Sequence, residues 1–284
     1  MTTPYKLIAI DIDGTLADSH GKITERTKDA VHRVATGGAT IVVATGRRFF
    51  TAKPRVLQLE LPEVLLAVHN GAILKRLNGD VIYHQLLPHA IAQNAVSVAK
   101  LLGLCPIVFA GTQDEANLLV EDYGERIDAW QRAYLHENQR HLKWVDDLAA
   151  ELPGDVIELI CVVPAGEVHE IAEAFQTRLN GQVKPILVTM SNRERAFVGL
   201  SNAQVGKHQP LRYLAEQMGI EQSAIFAIGD NYNDLDMLQF AGNGSRHGER
   251  RRGTETDGIL CDRIKRCGRR RRGNREICFR RKLI

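Results

Sequence analysis

The sequence has few cysteines and no long apolar run, and both absences narrow the class of protein. Its five cysteines among 284 residues show no spacing typical of a zinc site, and a disulfide framework is not expected in a large intracellular chain. No apolar stretch approaches the roughly 20 residues that a membrane-spanning helix needs. The N-terminus also lacks the cationic segment and apolar core of a signal peptide. We therefore expect a cytoplasmic protein with no membrane partner.

Charge is distributed unevenly, although the net charge is only +3. Residues 245–284 hold 15 of the 37 Lys and Arg but only 5 of the 34 Asp and Glu, so this segment carries +10 and residues 1–244 carry −7. The arginines at 269–272 raise the alternative of a nucleic-acid-binding protein that acts through its tail. Aromatic residues are nearly absent from the tail, with Phe279 the one example, so the pattern does not favour nucleic acid as a partner.

Near the N-terminus, two apolar strands flank an amphipathic helix. Leu7–Ile10 reads as a buried strand, Thr24 as the cap of a helix over Glu25–Ala35, and Ile41–Ala44 as a second buried strand. Strand, helix and strand form a βαβ unit, which predicts a doubly wound parallel sheet of the α/β class. Roughly 160 residues separate this unit from the next parallel-sheet pattern, near 209–240, too many for one crossover. We therefore expect a second domain of α+β texture inserted into the sheet.

Polar residues follow three of these apolar strands. Asp11 and Asp13 follow the first strand, Thr45 follows the second, and Asp230 with Asp234 follows a strand near 224–228. Because the carboxyl ends of parallel strands share one edge, these side chains should converge. Converging carboxylates repel unless a hard cation such as Mg²⁺ lies between them. One aspartate could then attack a phosphorus atom while its neighbour handles the proton of the leaving group.

Four short motifs in this order resemble those of the haloacid dehalogenase superfamily of aspartyl phosphatases. The first is Asp11-Ile-Asp-Gly-Thr-Leu, the second Ala44-Thr-Gly-Arg, the third Lys207, and the fourth Gly229-Asp-Asn-Tyr-Asn-Asp. Their order, with a large insert between the second and third motifs, is similar to the Cof-type branch, which has an α/β cap domain. The family usually has Lys-Gly at the third motif, whereas this chain has Gly206-Lys207-His208; Lys207 is preferred to Lys184 as the third-motif lysine.

The resemblance implies a role for each matching residue. Asp11 would be the nucleophile that forms an aspartyl-phosphate, and Asp13 the general acid and base. Mg²⁺ would be held by Asp11, the backbone carbonyl of Asp13 and Asp230, with Asp234 supporting the site indirectly. The residues expected to bind the phosphoryl group or to line the entrance are Thr45, Gly46, Arg47, Asn70, Gly71, Lys207 and Asn233.

The domain boundaries follow from the change of pattern along the chain. We expect the core in residues 1–83 plus 191–244 and the inserted cap domain in 84–190. The basic segment 245–284 does not resemble the strand and closing helix with which the family continues. Reading its codons one base later can give a sequence similar to the family's usual C-terminus, so we interpret this segment as frameshifted.

The expected function is that of a Mg²⁺-dependent phosphatase of small phosphorylated metabolites, such as sugar phosphates and related phosphomonoesters. The sequence leaves open a phosphomutase, which uses the same nucleophile but returns the phosphoryl group to a sugar. A monomer or a homodimer is expected.

Overall fold

The computed structural model describes residues 3–112, 117–189 and 194–246. The interpretation of the basic tail as frameshifted therefore lies almost entirely outside the described residues. The chain divides into two compact units, one comprising Met1–Tyr83 with Gly206–Ile284 and the other His84–Val205. None of the helices in residues 3–112, 117–189 and 194–246 combines the length and the apolar composition of a membrane-spanning segment.

The strands and helices alternate along much of the chain, as an α/β protein requires. The strands are β1 (Leu7–Ile10), β2 (Thr40–Ala44), β3 (Val64–Val68), β4 (Ile73–Arg76), β5 (Val81–His84), β6 (Ile107–Ala110), β7 (Asn117–Glu121), β8 (Leu142–Val145), β9 (Glu158–Pro164), β10 (Val183–Thr189), β11 (Arg195–Asn202), β12 (Ile225–Gly229) and β13 (Asn243–Arg246). The α-helices are α1 (Glu25–Thr36), α2 (Phe49–Val56), α3 (His89–Leu101), α4 (Ala129–Glu137), α5 (Val168–Arg178), α6 (His208–Met218) and α7 (Leu235–Phe240).

The first unit is built on a sheet in which β1 is central. Among the described residues this sheet has seven strands in the order β13-β12-β1-β2-β3-β4-β5. β1 pairs in parallel with β12 on one side and with β2 on the other. All four β1 residues are fully buried, because both faces of a parallel sheet are covered. The polar residues that follow β1, β2 and β12 are therefore brought to one edge.

Helices cover both faces of this sheet. Leu7 and Ala9 of β1 belong to a cluster that includes Leu211 and Leu214 of α6 and Met237 of α7. The alternate β1 side chains point to the opposite face, and α1 and α2 contact β2 and β3. The Thr24 hydroxyl accepts a hydrogen bond from the Thr27 N–H and caps α1, as the sequence predicts. The doubly wound α/β core is thus confirmed.

The second unit has its own sheet and core. Within the residues described, its six strands are arranged in the order β10-β11-β9-β6-β7-β8. Their pairing is mostly antiparallel, with β7 and β8 parallel, whereas parallel pairs predominate in the first sheet. Its apolar core joins residues of α3 and α5, such as Val96 and Phe175, to sheet residues such as Leu159 and Val198. This is the α+β texture expected for the inserted domain.

Two details differ from the sequence-based expectations. The core was expected to resume at residue 191, but β11 pairs with β10 and β9 of the second sheet, and the first unit resumes at Gly206. No strand was expected after Gly244, yet Asn243–Arg246 pairs in parallel with β12 as an edge strand. Its backbone supplies the ladder bonds, so the segment Asn-Gly-Ser-Arg forms a strand without the apolar pattern that would predict one.

Candidate active site

A buried lysine joins two aspartates at the carboxyl edge of the first sheet. The Nζ atom of Lys207 donates to Oδ1 of Asp11 and to Oδ1 of Asp234, both at 2.6 Å. Lys207 precedes α6, Asp11 follows β1, and Asp234 precedes α7. The three side chains are nearly inaccessible to solvent, with exposed fractions of 1%, 7% and 0%. Burial of two carboxylates is tolerated here because a cation lies between them.

Burial sets the protonation of this cluster. Loss of hydration raises the pKa of Asp11 to about 7, since the Asp234 carboxylate adds to the effect and Lys207 offsets it only in part. Burial also disfavours the charged form of Lys207, but the carboxylates of Asp11 and Asp234 outweigh that effect and raise its pKa. Lys207 is therefore a cation at neutral pH, while the Asp11 carboxyl ionises near neutral pH.

Asp234 organises the loop that follows β12. Its Oδ2 atom accepts hydrogen bonds from the backbone N–H groups of Asp230, at 3.0 Å, and Asn231, at 2.9 Å. A Cβ atom at Gly229 would lie 2.4 Å from Cγ of Asp234, so only glycine allows the carboxylate to reach these N–H groups. Both Asp234 oxygens are thus engaged by the protein, one by Lys207 and one by its own loop.

The donor set suits a divalent cation. Asp11, Asp230 and Asp234 each offer one carboxylate oxygen, and the three oxygens lie within 4.8 Å of one another. Oxygen ligands of this charge are those that Mg²⁺ and similar hard ions prefer. Gly14 has a φ of +79°, and a Cβ atom there would lie 2.5 Å from Oδ2 of Asp230. The first-motif loop therefore approaches Asp230 as closely as it does because residue 14 is glycine.

Asp13 lies apart from the buried cluster and forms an ion pair with Arg47. The guanidinium donates from Nε to Oδ2 at 2.6 Å and from Nη2 to Oδ1 at 2.7 Å, which is the bidentate geometry typical of strong arginine–carboxylate pairs. The hydrogen bonds to Asp13 raise the pKa of Arg47 despite its partial burial. The two side chains are 52% and 34% exposed, so substrate could reach the Asp13 carboxyl.

The remaining expected site residues form a third group. Thr45 is buried, and its hydroxyl accepts a hydrogen bond from the N–H of Arg47 at 3.1 Å. The Nδ2 atom of Asn233 donates to Oδ1 of Asn70 at 3.0 Å. The Asn70 amide also lies against Gly46, where a Cβ atom would be 3.0 Å from its Oδ1. Residues from the second and fourth motifs are thereby brought together.

The structure places every site residue expected from the sequence in the first unit. Lys184, the lysine not chosen, lies on β10 of the second sheet and donates to the Val205 carbonyl at 2.6 Å. Nδ1 of His208 lies 3.0 Å from Oδ2 of Asp236, a contact that was not expected from the sequence. The one hint in the sequence is the difference from the family's usual Lys-Gly pair at the third motif, where His208 follows Lys207.

Comparison with known families agrees with the motif pattern. Residues 8–246 match the model of a haloacid dehalogenase-like hydrolase family. The match spans both units and ends where the basic segment begins. It covers well over half of the chain.

Individual relatives and solved structures agree with the family match. The putative phosphatase YxeH of Bacillus subtilis is 29% identical over 242 residues, covering 84% of this chain and 86% of YxeH. The 5-amino-6-(5-phospho-D-ribitylamino)uracil phosphatase YwtE of the same organism is 26% identical, covering 84% and 86%. The crystal structure of a haloacid dehalogenase-like hydrolase from Bacteroides thetaiotaomicron has the same fold, with a TM-score of 0.68, 24% identity and coverage of 93% and 92%. The chain therefore belongs to the haloacid dehalogenase-like hydrolase family, as an enzyme of the phosphatase type.

Proposed function

We propose that the chain is a Mg²⁺-dependent phosphatase of small phosphorylated metabolites that works through an aspartyl-phosphate on Asp11. The single observation that carries this proposal is the buried Lys207 between Asp11 and Asp234, with Asp230 beside them. A nucleophilic carboxylate, a fixed cation and a cation-binding carboxylate pair are the groups that phosphoryl transfer needs.

In the first step an Asp11 carboxylate oxygen bonds to phosphorus as the bond from phosphorus to the leaving oxygen breaks. Asp13 gives its proton to that leaving oxygen, so the product departs as an alcohol. In the second step Asp13 takes a proton from water, whose oxygen bonds to phosphorus as the bond to Asp11 breaks. Inorganic phosphate and free Asp11 result, and the site is restored.

The ion would be held by Asp11, Asp230 and the backbone carbonyl of Asp13. Asp234 supports this set indirectly, because its two oxygens are engaged by Lys207 and by loop N–H groups. A bound Mg²⁺ supplies electrostatic stabilisation of the phosphoryl oxygens and relieves repulsion among the carboxylates.

The phosphoryl group would be bound by the cation of Lys207, the hydroxyl of Thr45 and the amide of Asn233. Lys207 is already fixed by two carboxylates, so it needs little reorganisation when charge spreads over the transferring group. Gly46, Arg47 and Gly71 would line the approach to these residues.

The substrate would be a small phosphomonoester, such as a sugar phosphate. Two relatives are named for a phosphate ester carried on a ribityl chain, which supports a phosphorylated sugar or polyol here. Arg47 would bind a polar part of the substrate as it releases Asp13. Neither the family match nor the described residues support the nucleic-acid alternative.

A phosphate-release assay tests the proposal. The full chain with Mg²⁺ should release inorganic phosphate from members of a sugar-phosphate panel, and the Asp11→Asn variant or a chelator should abolish release. Release without an added sugar bisphosphate separates a phosphatase from the phosphomutase alternative. Failure on every phosphomonoester, or undiminished release by Asp11→Asn, would refute the proposal.

A further inference from the structure

The turn that follows β3 has an unusual backbone. His69, Asn70 and Gly71 have φ values of +49°, +54° and +90°, three consecutive residues in the left-handed region. Residues with a Cβ atom are disfavoured there, and two of the three have one. Such strain persists only where surrounding contacts hold it, and it is concentrated at functional sites. The contacts of this turn therefore indicate its purpose.

The turn is held by the second-motif loop through its backbone. The N–H of His69 donates to the Arg47 carbonyl, and the N–H of Asn70 donates to the Thr45 carbonyl, both at 3.0 Å. The left-handed conformation turns both N–H groups toward this loop. The position of the Asn70 backbone is thus tied to Thr45, whose hydroxyl is expected to contact the phosphoryl group.

The Asn70 side chain extends from this backbone to a different motif. Its Oδ1 accepts the hydrogen bond from Nδ2 of Asn233 at 3.0 Å, and it lies against the Cα atom of Gly46. This bond uses one of the two hydrogens on Nδ2 and leaves the other for a ligand. Asn233 itself lies in a short 3₁₀ turn, Tyr232–Asp234, so its side chain depends on a partner for its orientation.

A third contact brings the lysine into the same arrangement. A Cβ atom on Gly71 would lie 2.2 Å from the Gly206 carbonyl oxygen and 3.0 Å from Cα of Lys207. The turn therefore packs directly on the backbone that carries Lys207. Three segments that are distant in sequence meet at the turn, and each carries a residue expected to bind the phosphoryl group.

We propose that Asn70 is a positioning residue, which holds the Asn233 amide in register with Thr45 and does not itself bind substrate. This inference rests on the proposed function, because it assumes that Asn233 contacts the phosphoryl group. It replaces the expectation from the sequence that Asn70 binds phosphate or substrate directly.

Asn70→Gly tests the inference, because glycine keeps the left-handed backbone and removes only the side chain. We compare the wild type, Asn70→Gly, Asn233→Ala and the double variant by calorimetric titration of inorganic phosphate with Mg²⁺ present, and by kcat/KM. Asn70→Gly should weaken phosphate binding by about fivefold to tenfold, and the double variant should match Asn233→Ala within about twofold.

A second variant keeps the test decisive if Asn70→Gly is unstable. Gly46→Ala would place a Cβ atom 3.0 Å from Oδ1 of Asn70, so the Asn70 amide must shift by a few tenths of an ångström, and phosphate binding should weaken in the same direction. If the fold loss of phosphate affinity in the double variant equals the product of the losses in the two single variants, Asn70 contacts the ligand itself and the inference is overturned. Wild-type behaviour of Asn70→Gly beside an impaired Asn233→Ala would also overturn it. If Asn233→Ala binds phosphate as the wild type does, the proposed role of Asn233 is wrong and the inference falls with it.

Discussion

Lys207 donates from Nζ to Oδ1 of Asp11 at 2.6 Å, and both side chains are buried. The two residues are 196 positions apart in sequence, and the second unit lies between them in the chain. Their contact joins the two sequence-distant parts of the first unit, because Asp11 follows β1 and Lys207 immediately precedes α6. It also fixes the cation beside the carboxylate that we propose as the nucleophile.

Removal of the Lys207 ammonium group should lower both the stability and the activity of the protein. Lys207→Met leaves Asp11 and Asp234 without their shared partner, so we expect the free energy of unfolding to fall by about 3–5 kcal/mol without divalent ions at pH 8. We expect kcat to fall by at least about a hundredfold. Urea denaturation and phosphate release measure the two effects.

Lys184→Met is the matched control for that variant. Lys184 is a half-buried lysine whose Nζ is also hydrogen-bonded, but its partner is the backbone carbonyl of Val205 and it belongs to the second unit. It should retain phosphate release. An active Lys207→Met variant would contradict the role of the buried cation.

The raised pKa of Asp11 predicts a pH-dependent stability. In the folded state its pKa is about 7, against the ordinary 3.8, so the folded protein binds this proton more tightly than the unfolded chain does. Stability of the ion-free protein should therefore fall as pH rises from about 4 to about 7. Thermal unfolding at about pH 5.5 and about pH 8 should show this loss in the wild type and a smaller loss in Asp11→Asn.

Mg²⁺ should reverse that loss, because it competes with the proton for Asp11. The increase in Tm on adding Mg²⁺ should be larger at about pH 8 than at about pH 5.5. A larger increase in Tm at the lower pH would contradict the assignment of the raised pKa to Asp11. An equal loss of Tm between about pH 5.5 and about pH 8 in the wild type and in Asp11→Asn would contradict it too.

Arg47 should affect activity more than stability. Its pair with Asp13 is partly exposed, and such pairs contribute less than about 1 kcal/mol. Arg47→Met frees the Asp13 carboxyl from its bidentate partner, so we expect kcat/KM to fall about tenfold while Tm changes little. Arg48→Met removes the neighbouring arginine and serves as the control, with kcat/KM close to that of the wild type. Equal losses in both variants would show a general effect of charge.

His208 and Asp236 should be energetically coupled. Their contact joins the first turns of α6 and α7, beside the Lys207–Asp234 pair, and a Cβ atom on Gly206 would collide with Asp236. A double-mutant cycle with His208→Ala and Asp236→Ala should give a coupling of about 0.5–1 kcal/mol by urea denaturation. Strict additivity would show that the contact contributes nothing to packing of the two helices.

Much of the fold could be predicted because local pattern and tertiary structure agree in the core. β1 is an unbroken apolar run that ends at Asp11, and Thr24 is a capping residue followed by a helix of suitable periodicity. Parallel topology then brings the strand ends to one edge. The approach of Asp11 to Asp230 could be predicted for the same reason, since each follows an apolar strand of the sheet. Lys207 precedes a helix, and only the family resemblance points to it in the sequence.

The remaining features depend on pairing that composition does not encode. β13 is held by the backbone ladder with β12, and β11 belongs to the second sheet because it pairs between β9 and β10. The bidentate pair of Arg47 with Asp13 and the Asn70–Asn233 bond join side chains from separate loops. Spacing in sequence contains no information about such contacts, so they required the structure.

The most direct test of the central claim is a search for phosphate bound covalently to Asp11. The full chain is mixed with a phosphate-labelled substrate and Mg²⁺ and quenched in acid within milliseconds. We predict protein-bound label that hydroxylamine releases, as an acyl phosphate requires, and no label on Asp11→Asn. Phosphate release by a wild-type chain that never carries the label, or label of equal amount on Asp11→Asn, would contradict the account.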